Sequence, residues 1–277
     1  MSTSPVYKKW LVITGALLLV VGIALLPRKP KDTNTGVASL PAFSVEEHVK
    51  EQIKGLPNGN AQTINSLVGS LSAQERASKV KATDSLSKIA DRLSSPLIGA
   101  FYYEKLALEL NEEKLWLNAA YRYFDAYRLS RDSTMKSGLL DKAIGAYNKV
   151  ITLNPENLDA KTDLGVCYTE TAQPMKGITL LREVITKNPR HENALMDLGM
   201  LSMRSRQYEK GIDRFKQVIE INKNNPDAFL YLGECYIKTG KQDLAVENLQ
   251  HYKDLIKNKD QIAQVDELIQ GLQAKKK

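Results

Sequence analysis

The sequence contains few of the residues on which catalysis and metal binding usually depend. Among its 277 residues are two cysteines and three histidines, and the histidines, His48, His191 and His251, are far apart in the chain. None has the H-E-x-x-H or cysteine-paired spacing of a zinc site, and no serine lies in a G-x-S-x-G turn. Glycine-rich phosphate loops are absent as well. The sequence therefore predicts no enzyme, no cofactor and no metal site.

Nucleic-acid binding has little support, because the basic charge is not combined with a recognition motif. The net charge is +7, yet aromatic residues make up only 7% of the chain, and most of them are tyrosines. Much of the excess charge lies at the two ends, whereas the middle of the chain mixes both signs. Binding of nucleic acid or anionic lipid through the basic termini therefore stays a secondary alternative.

One long uncharged run lies near the start of the chain. The segment from Trp10 to Leu26 has 17 residues without a charge, which is the short end of what a membrane-spanning helix needs. The sequence after it lacks the small residues of a signal-peptidase site, so an uncleaved single-pass anchor is favoured over a cleaved signal peptide. Basic residues flank the run on both sides and leave its orientation open. We expect a short tail at 1–9, a transmembrane helix at 10–26 and a linker at 27–43.

A period of 34 residues runs through the second half of the sequence. Leucine–glycine pairs recur at this spacing: Leu164-Gly165, Leu198-Gly199 and Leu232-Gly233. Further residues keep the same register: Tyr168, Gly177, Leu181 and Pro189, then Ser202, Gly211 and Phe215, then Tyr236, Ala245 and Leu249. This series resembles the tetratricopeptide (TPR) family, whose pattern is W-x2-L-G-x2-Y, then A-x3-F, then proline. The resemblance implies an all-α solenoid of helical hairpins over roughly the second half of the chain.

The small residues of the repeat have a packing role. Glycine at the eighth position and a small residue at the twentieth let the two helices of a hairpin approach closely, while the leucine, tyrosine and phenylalanine positions fill the space between them. Cys167 and Cys235 occupy one and the same position two repeats apart, too far from each other for a disulfide. We expect both to be small buried residues of a helix.

Less regular helices are predicted before these repeats. A stretched repeat at 112–155 keeps the helical spacing at Trp116 and Tyr123, but its turn around Arg131 to Gly138 is longer than the family allows. Further upstream, 74–93 and 96–111 are interpreted as a degenerate helical pair. The motif Ser44-x-x-Glu47 is a capping box that starts another helix.

These observations give one domain organisation. The predicted fold is all-α, a TPR-type α-solenoid with an N-terminal transmembrane helix. An N-terminal helical region with the degenerate repeat is expected at 44–110, the solenoid at 111–259, and a capping helix with a basic tail at 260–277. Within the solenoid, the stretched repeat at 112–155 precedes three regular repeats at 158–191, 192–225 and 226–259.

The resemblance also implies a binding groove, because the first helices of TPR hairpins line the concave side. The positions that face this groove map onto Asp159, Thr162, Asp163, Val166, Asn193, Met196, Asp197, Met200, Met203, Asp227, Leu230, Tyr231 and Glu234, with Thr169 and Ile237 at the last positions. The lysine, asparagine and arginine with which chaperone-binding members hold a C-terminal carboxylate are missing from the corresponding positions. A chaperone-tail adaptor is therefore not expected.

Two features of this predicted groove bear on its ligand. Met196, Met200 and Met203 form a helical stripe of the kind that suits adaptable binding surfaces, although packing against a neighbouring helix or the long turn explains it equally well. The aspartates make the groove acidic, and an ordinary solvated face is the alternative interpretation.

We therefore expect a membrane-anchored TPR scaffold that binds a protein or peptide, basic or amphipathic in character, in its groove. An accessory or structural subunit of a cell-envelope assembly is the first alternative. A bacterial envelope setting, with the helical body in the periplasm, is suggested by the resemblance alone. The partner and the oligomeric state are not predicted.

Overall fold

The structure, a computed structural model, describes residues 44–72 and 75–274, and these residues are helical throughout, which confirms the all-α prediction. The predicted tail, transmembrane helix and linker at 1–43 lie outside them. In the described ranges no helix is both long and apolar enough to cross a membrane. The helices are α1 (Val45–Gly55), α2 (Asn58–Ser70), α3 (Arg76–Arg92), α4 (Pro96–Leu110), α5 (Glu113–Leu129), α6 (Ser133–Leu153), α7 (Leu158–Thr169), α8 (Pro174–Lys187), α9 (Glu192–Arg204), α10 (Tyr208–Ile221), α11 (Pro226–Lys238), α12 (Gln242–Leu255) and α13 (Lys259–Ala274).

Helix α1 begins at the capping signal seen in the sequence. The Ser44 side chain accepts a hydrogen bond from the backbone N–H of Glu47 at 3.3 Å, and three apolar residues of the helix, Val45, Val49 and Ile53, are buried. Helix α2 has no counterpart in the sequence analysis. It buries only Ile64 fully, although Ala61, Leu67 and Val68 are partly buried against the same core, and its first residues, Asn58 and Gly59, resemble a turn in the sequence.

Helices α5 and α6 form the stretched repeat, and their structure corrects the long turn predicted around Arg131 to Gly138. The connection is short, because Asp132 caps α6 by accepting from the backbone N–H groups of Thr134 and Met135. The additional residues lengthen the helices instead. Helix α5 has 17 residues and α6 has 21, against 12 in α7 and 14 in α8.

The regular hairpins α7–α8, α9–α10 and α11–α12 are joined closely at their small residues. A Cβ on Gly177 would lie 2.2 Å from the Gly165 carbonyl oxygen, and a Cβ on Gly199 would lie 2.5 Å from the Phe215 ring. Glycine is needed at both positions because any side chain would collide with the other helix of the hairpin. The α13 helix covers the last hairpin with Val265 and two further buried residues.

Asparagines tie successive repeats together at two of the joints. At the joint before α7, Asn154 and Asn157 donate to the Glu113 carboxylate at 2.7 to 3.1 Å. At the joint before α11, Asn222 and Asn225 donate to the Glu192 carboxylate at 2.9 and 2.8 Å. At the middle joint the equivalent acceptor position is held by Leu158. There His191 instead caps α9 and contacts Asp159, with 3.2 Å between Nε2 and Oδ1.

The hydrophobic core is divided unevenly along the stack. One continuous cluster of buried residues runs from Val45 in α1 to Cys167 in α7. The following repeats contain smaller clusters, of which the largest reaches from Ile212 to Leu272. Both cysteines are buried free thiols, as their repeat position predicts.

Candidate protein-binding groove

The first helices of the regular hairpins form one layer of the stack. Helix α9 contacts both α7 and α11, which are the equivalent helices of the neighbouring repeats. No contact of this extent joins the second helices α8, α10 and α12 to one another in the described part of the chain. The layer in which neighbours approach more closely is the inner layer of a curved stack. The groove is therefore formed by α7, α9 and α11.

The predicted groove residues differ in their exposure. Asp159, Asn193, Met200 and Asp227 are exposed; Asp163, Val166, Met196, Asp197, Met203, Leu230, Tyr231 and Glu234 are partly buried. Thr162 is 1% exposed, and its hydroxyl donates to the Leu158 carbonyl oxygen at 2.9 Å. Its side chain therefore supports the helix and does not reach the groove surface.

A pocket of about 230 Å³ lies between α7 and α9. Helix α7 contributes Val166 and Thr169, and α9 contributes Asp197, Met200 and Leu201. Its rim is closed by an ion pair, in which Arg204 donates to the Glu170 carboxylate at 2.8 Å. The pocket thus combines apolar walls with one carboxylate that is not part of this ion pair.

A second pocket of about 380 Å³ adjoins the first and continues towards α11. Met200 and Arg204 line both pockets, and Tyr208, Tyr231 and Lys238 belong to the second. The two pockets form a continuous surface across three neighbouring first helices. A surface that crosses three neighbouring helices suits an extended or helical segment of another protein.

The three methionines of the predicted stripe have different environments. Met196 and Met203 are partly buried and pack against the apolar cluster of the last repeats, as the packing interpretation of the stripe requires. Met200 has 37% of its side chain exposed and lines both pockets. The stripe is therefore partly core and partly groove, with Met200 as the methionine that a ligand can reach.

Asp163 on α7 is a partly buried carboxylate with two tyrosines beside it. Burial raises its pKa to about 6, the Tyr121 hydroxyl lowers it, the neighbouring Asp159 carboxylate raises it, and the Tyr147 hydroxyl lowers it. The Tyr121 and Tyr147 rings lie edge to face, with 5.8 Å between their centroids. The Tyr147 hydroxyl is fully buried and makes no hydrogen bond of normal geometry. It lies near the Asp163 carboxylate, whose pKa it lowers.

Asp197 occupies the same repeat position on α9. Burial raises its pKa to about 7, and the nearby Asp163 carboxylate raises it further. Unlike Asp163, it has no hydroxyl donor, and within residues 44–72 and 75–274 it makes no hydrogen bond or ion pair. Burial also raises the pKa of Glu234 on α11, which Lys238 partly offsets. Acidic groups of reduced solvation therefore follow one another along the groove.

Several groove residues were not found by sequence reasoning. Tyr121, on α5 of the stretched repeat, was not selected from the sequence. Tyr147 on α6 is fully buried beside it and lies outside the groove surface. Glu170 and Arg204 lie at the ends of their helices, outside the positions that the family pattern assigns to the groove. Their opposite charges exactly one repeat length apart are the signal that could have found them, because equivalent positions of neighbouring repeats are close in space.

The described residues contain no group of three or more histidine, cysteine, aspartate or glutamate side chains that could hold a metal ion. The acidic residues of the groove are spread along three helices instead. This spacing suits contacts with successive residues of a polypeptide better than coordination of a single ion.

The hairpin stack has the architecture of an α-solenoid of helical hairpins. A family model described as tetratricopeptide repeat matches residues 202–275. No curated protein matches the sequence.

Solved structures resemble this chain at low sequence identity. A tetratricopeptide repeat protein from Parabacteroides merdae ATCC 43184 is 15% identical with a TM-score of 0.57, over 83% of this chain and 87% of that one, and it shares the fold. MamA, residues 41 to the end, from Desulfovibrio magneticus RS-1 is 19% identical with a TM-score of 0.49, over 63% of this chain and 93% of that one. YrrB, described as a TPR protein with an unusual peptide-binding site, is 15% identical with a TM-score of 0.47, over 82% and 99% respectively.

Proposed function

We propose that this protein is a non-enzymatic scaffold that binds a segment of a partner protein in the groove formed by α7, α9 and α11. The observation that carries the proposal is the pair of adjoining pockets that Met200 and Arg204 share. Methionine offers a deformable apolar contact, and the surrounding acidic residues favour a basic or amphipathic segment. The apolar wall contributes most of the binding free energy, and the charges contribute association rate and specificity.

Site-specific crosslinking tests this function in the cell that makes the protein. A photo-reactive residue at position 200 reports on the groove, and one at the exposed position 182 on α8 reports on the outer layer. We expect a partner protein to be captured from position 200 and not from position 182. The double variant Asp163→Lys with Asp197→Lys should weaken that capture.

Two results would contradict the proposal. Capture from position 182 alone would place the binding surface on the second helices. Crosslinks from position 200 that reach only this protein's own residues between Arg131 and Gly138 would mean that the chain itself fills the groove.

We further propose that residues 10–26 anchor the scaffold in a membrane and that 27–43 link it to the helical body. The uncharged run from Trp10 to Leu26 supports this proposal. The full chain should then remain in the membrane fraction after carbonate extraction and enter solution only with detergent. A mature N-terminus near residue 27, found by mass spectrometry, would establish a cleaved signal peptide instead.

A further inference from the structure

The carboxylate of Asp197 is the one acidic group of the α7–α9 pocket that has no partner in the described part of the chain. The other acid of this pocket, Glu170, accepts from Arg204 at 2.8 Å and from the Tyr127 hydroxyl at 3.3 Å. Transferring an unpaired carboxylate out of water costs free energy, and a cation that enters the pocket removes much of that cost. The pocket should therefore favour a positively charged group of the ligand over a neutral or negative one.

Asp163, one repeat earlier, adds a second negative charge close to the first. Its neighbours are the hydroxyls of Tyr121 and Tyr147, which are neutral donors that favour the ionised carboxylate without neutralising its charge. The Tyr147 side chain is fully buried, and its hydroxyl makes no hydrogen bond of normal geometry among the described residues. The tyrosines thus favour the ionised form of Asp163, and this carboxylate has no counter-ion among the described residues.

The walls of the pocket indicate the shape of the cation. Val166 on α7 and Met200 and Leu201 on α9 offer apolar surface beside the carboxylate. A small hydrated ion would gain nothing from these walls. A lysine or arginine side chain fits them, because its methylene stem packs on apolar surface while its charged head stays at the polar end.

We propose that Asp197 binds the charged head of one lysine or arginine of the partner segment, with its stem against Val166 and Met200, while the Asp163 carboxylate one repeat earlier adds to the negative potential at this site. The inference rests on the proposed function and narrows it to a basic anchor residue. The anchor occupies the α7–α9 pocket, and the apolar residues next to it in the partner occupy the adjoining pocket towards α11.

Binding of this anchor depends on pH near neutrality. The pKa of Asp197 is about 7 without a ligand, so the carboxylate gains its full charge only above neutral pH. The charged groups that line the pocket beside Asp197 are Glu170 on α7 and Arg204 on α9 itself, which pair with each other. Asp163 on α7 lies nearby, and Lys238 on α11 lines the adjoining pocket. Helices α8, α10 and α11 contribute no charged lining residue to the α7–α9 pocket.

Titration with designed peptides tests the proposal on the full chain. The probes are short, soluble, acetylated and amidated peptides that differ only in a central lysine, norleucine or glutamate. Methionines carrying carbon-13 methyl groups make the Met200 methyl signal a direct report on the pocket. At about pH 8 the lysine peptide should shift this signal and bind at least about tenfold more tightly than the norleucine peptide, and this preference should fall at about pH 5.5.

Matched variants separate charge from folding. Asp197→Asn keeps the shape of the side chain and should abolish the preference for lysine, and Asp163→Asn should reduce it. Asp213→Asn, on the exposed face of α10, should leave the preference intact.

Three outcomes would overturn the inference. If the norleucine peptide binds as tightly as the lysine peptide, or if Asp197→Asn binds lysine unchanged, the pocket is an apolar anchor and the groove function stands. If no peptide shifts the Met200 signal although a partner is captured from position 200, the partner does not place a basic residue in this pocket. Loss of capture as well as of peptide binding would remove the proposed function itself.

Discussion

The helices α1 to α6 and the regular repeats α7 to α12 are held together in different ways. The first region shares one large apolar cluster, and tyrosines within it donate to carboxylates on neighbouring helices, as Tyr103 does to Asp84 at 2.6 Å and Tyr123 does to Glu104. Lys142 on α6 adds an ion pair to Glu104 at 2.9 Å. The regular repeats instead have small clusters and close helix contacts at glycine.

This difference explains why the groove lies in the second region. Where tyrosines and ion pairs link neighbouring helices, the polar groups are used within the fold. In the regular repeats, Glu170 and Glu192 also pair within the fold, whereas Asp197 on α9 has no partner among the described residues and stays available to a ligand. On the proposed function, the second region then provides the binding surface and the first region supports it.

Replacing glycine at a helix contact should produce the largest effect on stability. In Gly199→Leu the new side chain would meet the Phe215 ring, which a Cβ would already approach to 2.5 Å, so we expect a loss of about 3 kcal/mol or more. Gly145→Leu on α6 is the matched control, because nothing lies within 4 Å of that position. Urea unfolding of both variants checks this, and equal midpoints would mean that α9 and α10 are not in close contact.

Removing a buried tyrosine hydroxyl should have an intermediate effect that depends on whether the hydroxyl has a hydrogen-bond partner within the fold. Tyr123→Phe leaves the Glu104 carboxylate without one charged hydrogen bond and should cost about 1.5–3 kcal/mol. Tyr147→Phe removes a buried hydroxyl that has no hydrogen-bond partner of normal geometry, and should be neutral or stabilising at about pH 5. Thermal unfolding of both proteins tests the contrast. A larger loss in Tyr147→Phe would show that its hydroxyl is needed for folding.

The regular repeats should also give the protein its pH dependence near neutrality. Asp163 and Asp197 have folded-state pKa values of about 6 and about 7, both above the ordinary value of 3.8, so the folded state binds more protons than the unfolded state between these limits. Their contribution to stability is complete below about pH 4 and is lost as pH rises through 6 and 7. Asp197→Asn should reduce the loss between about pH 5 and pH 8 by roughly 1–3 kcal/mol.

Urea unfolding at these two pH values measures the effect, with Asp213→Asn as the control. An Asp197→Asn protein with the pH dependence of the wild type would mean that this carboxylate is well solvated. In the first region, the exposed Glu46 shows a shift in the opposite direction, because its hydrogen bond and charge interaction with Lys50 lower its pKa.

Exposed ion pairs should have the smallest effect, and the same effect in both regions. Arg76 pairs with Glu112 at 2.7 Å in the first region, and Lys187 pairs with Glu156 in the second. Solvent screens such pairs, so Arg76→Ala and Lys187→Ala should leave the melting temperature unchanged within error. A clear decrease for Arg76→Ala alone would show that ion pairs stabilise the first region even at its surface.

Much of the fold follows from the 34-residue period, because glycines and leucines that recur in register can pack in only one way within a stack of hairpins. The sequence could not reveal α2, which buries only Ile64 fully, or the long helices α5 and α6, since Asp132 resembles a turn residue and acts as a helix cap. For the groove, repeat position was sufficient to select Asp197. That the Asp197 carboxylate has no partner was not predictable, because this depends on Glu170 and Arg204 pairing with each other across two repeats.

The joints between repeats differ in a way that bears on the mechanics of the groove. Asparagine side chains donate to Glu113 and Glu192 at the joints before α7 and α11. At the middle joint the Leu158 side chain offers no acceptor. A joint with fewer hydrogen bonds opens at a lower free energy than its neighbours. We therefore expect the middle joint, which connects α8 to α9, to open more easily than the other two. Opening at this joint would change the width of the α7–α9 pocket, while the joints before α7 and α11 keep their geometry.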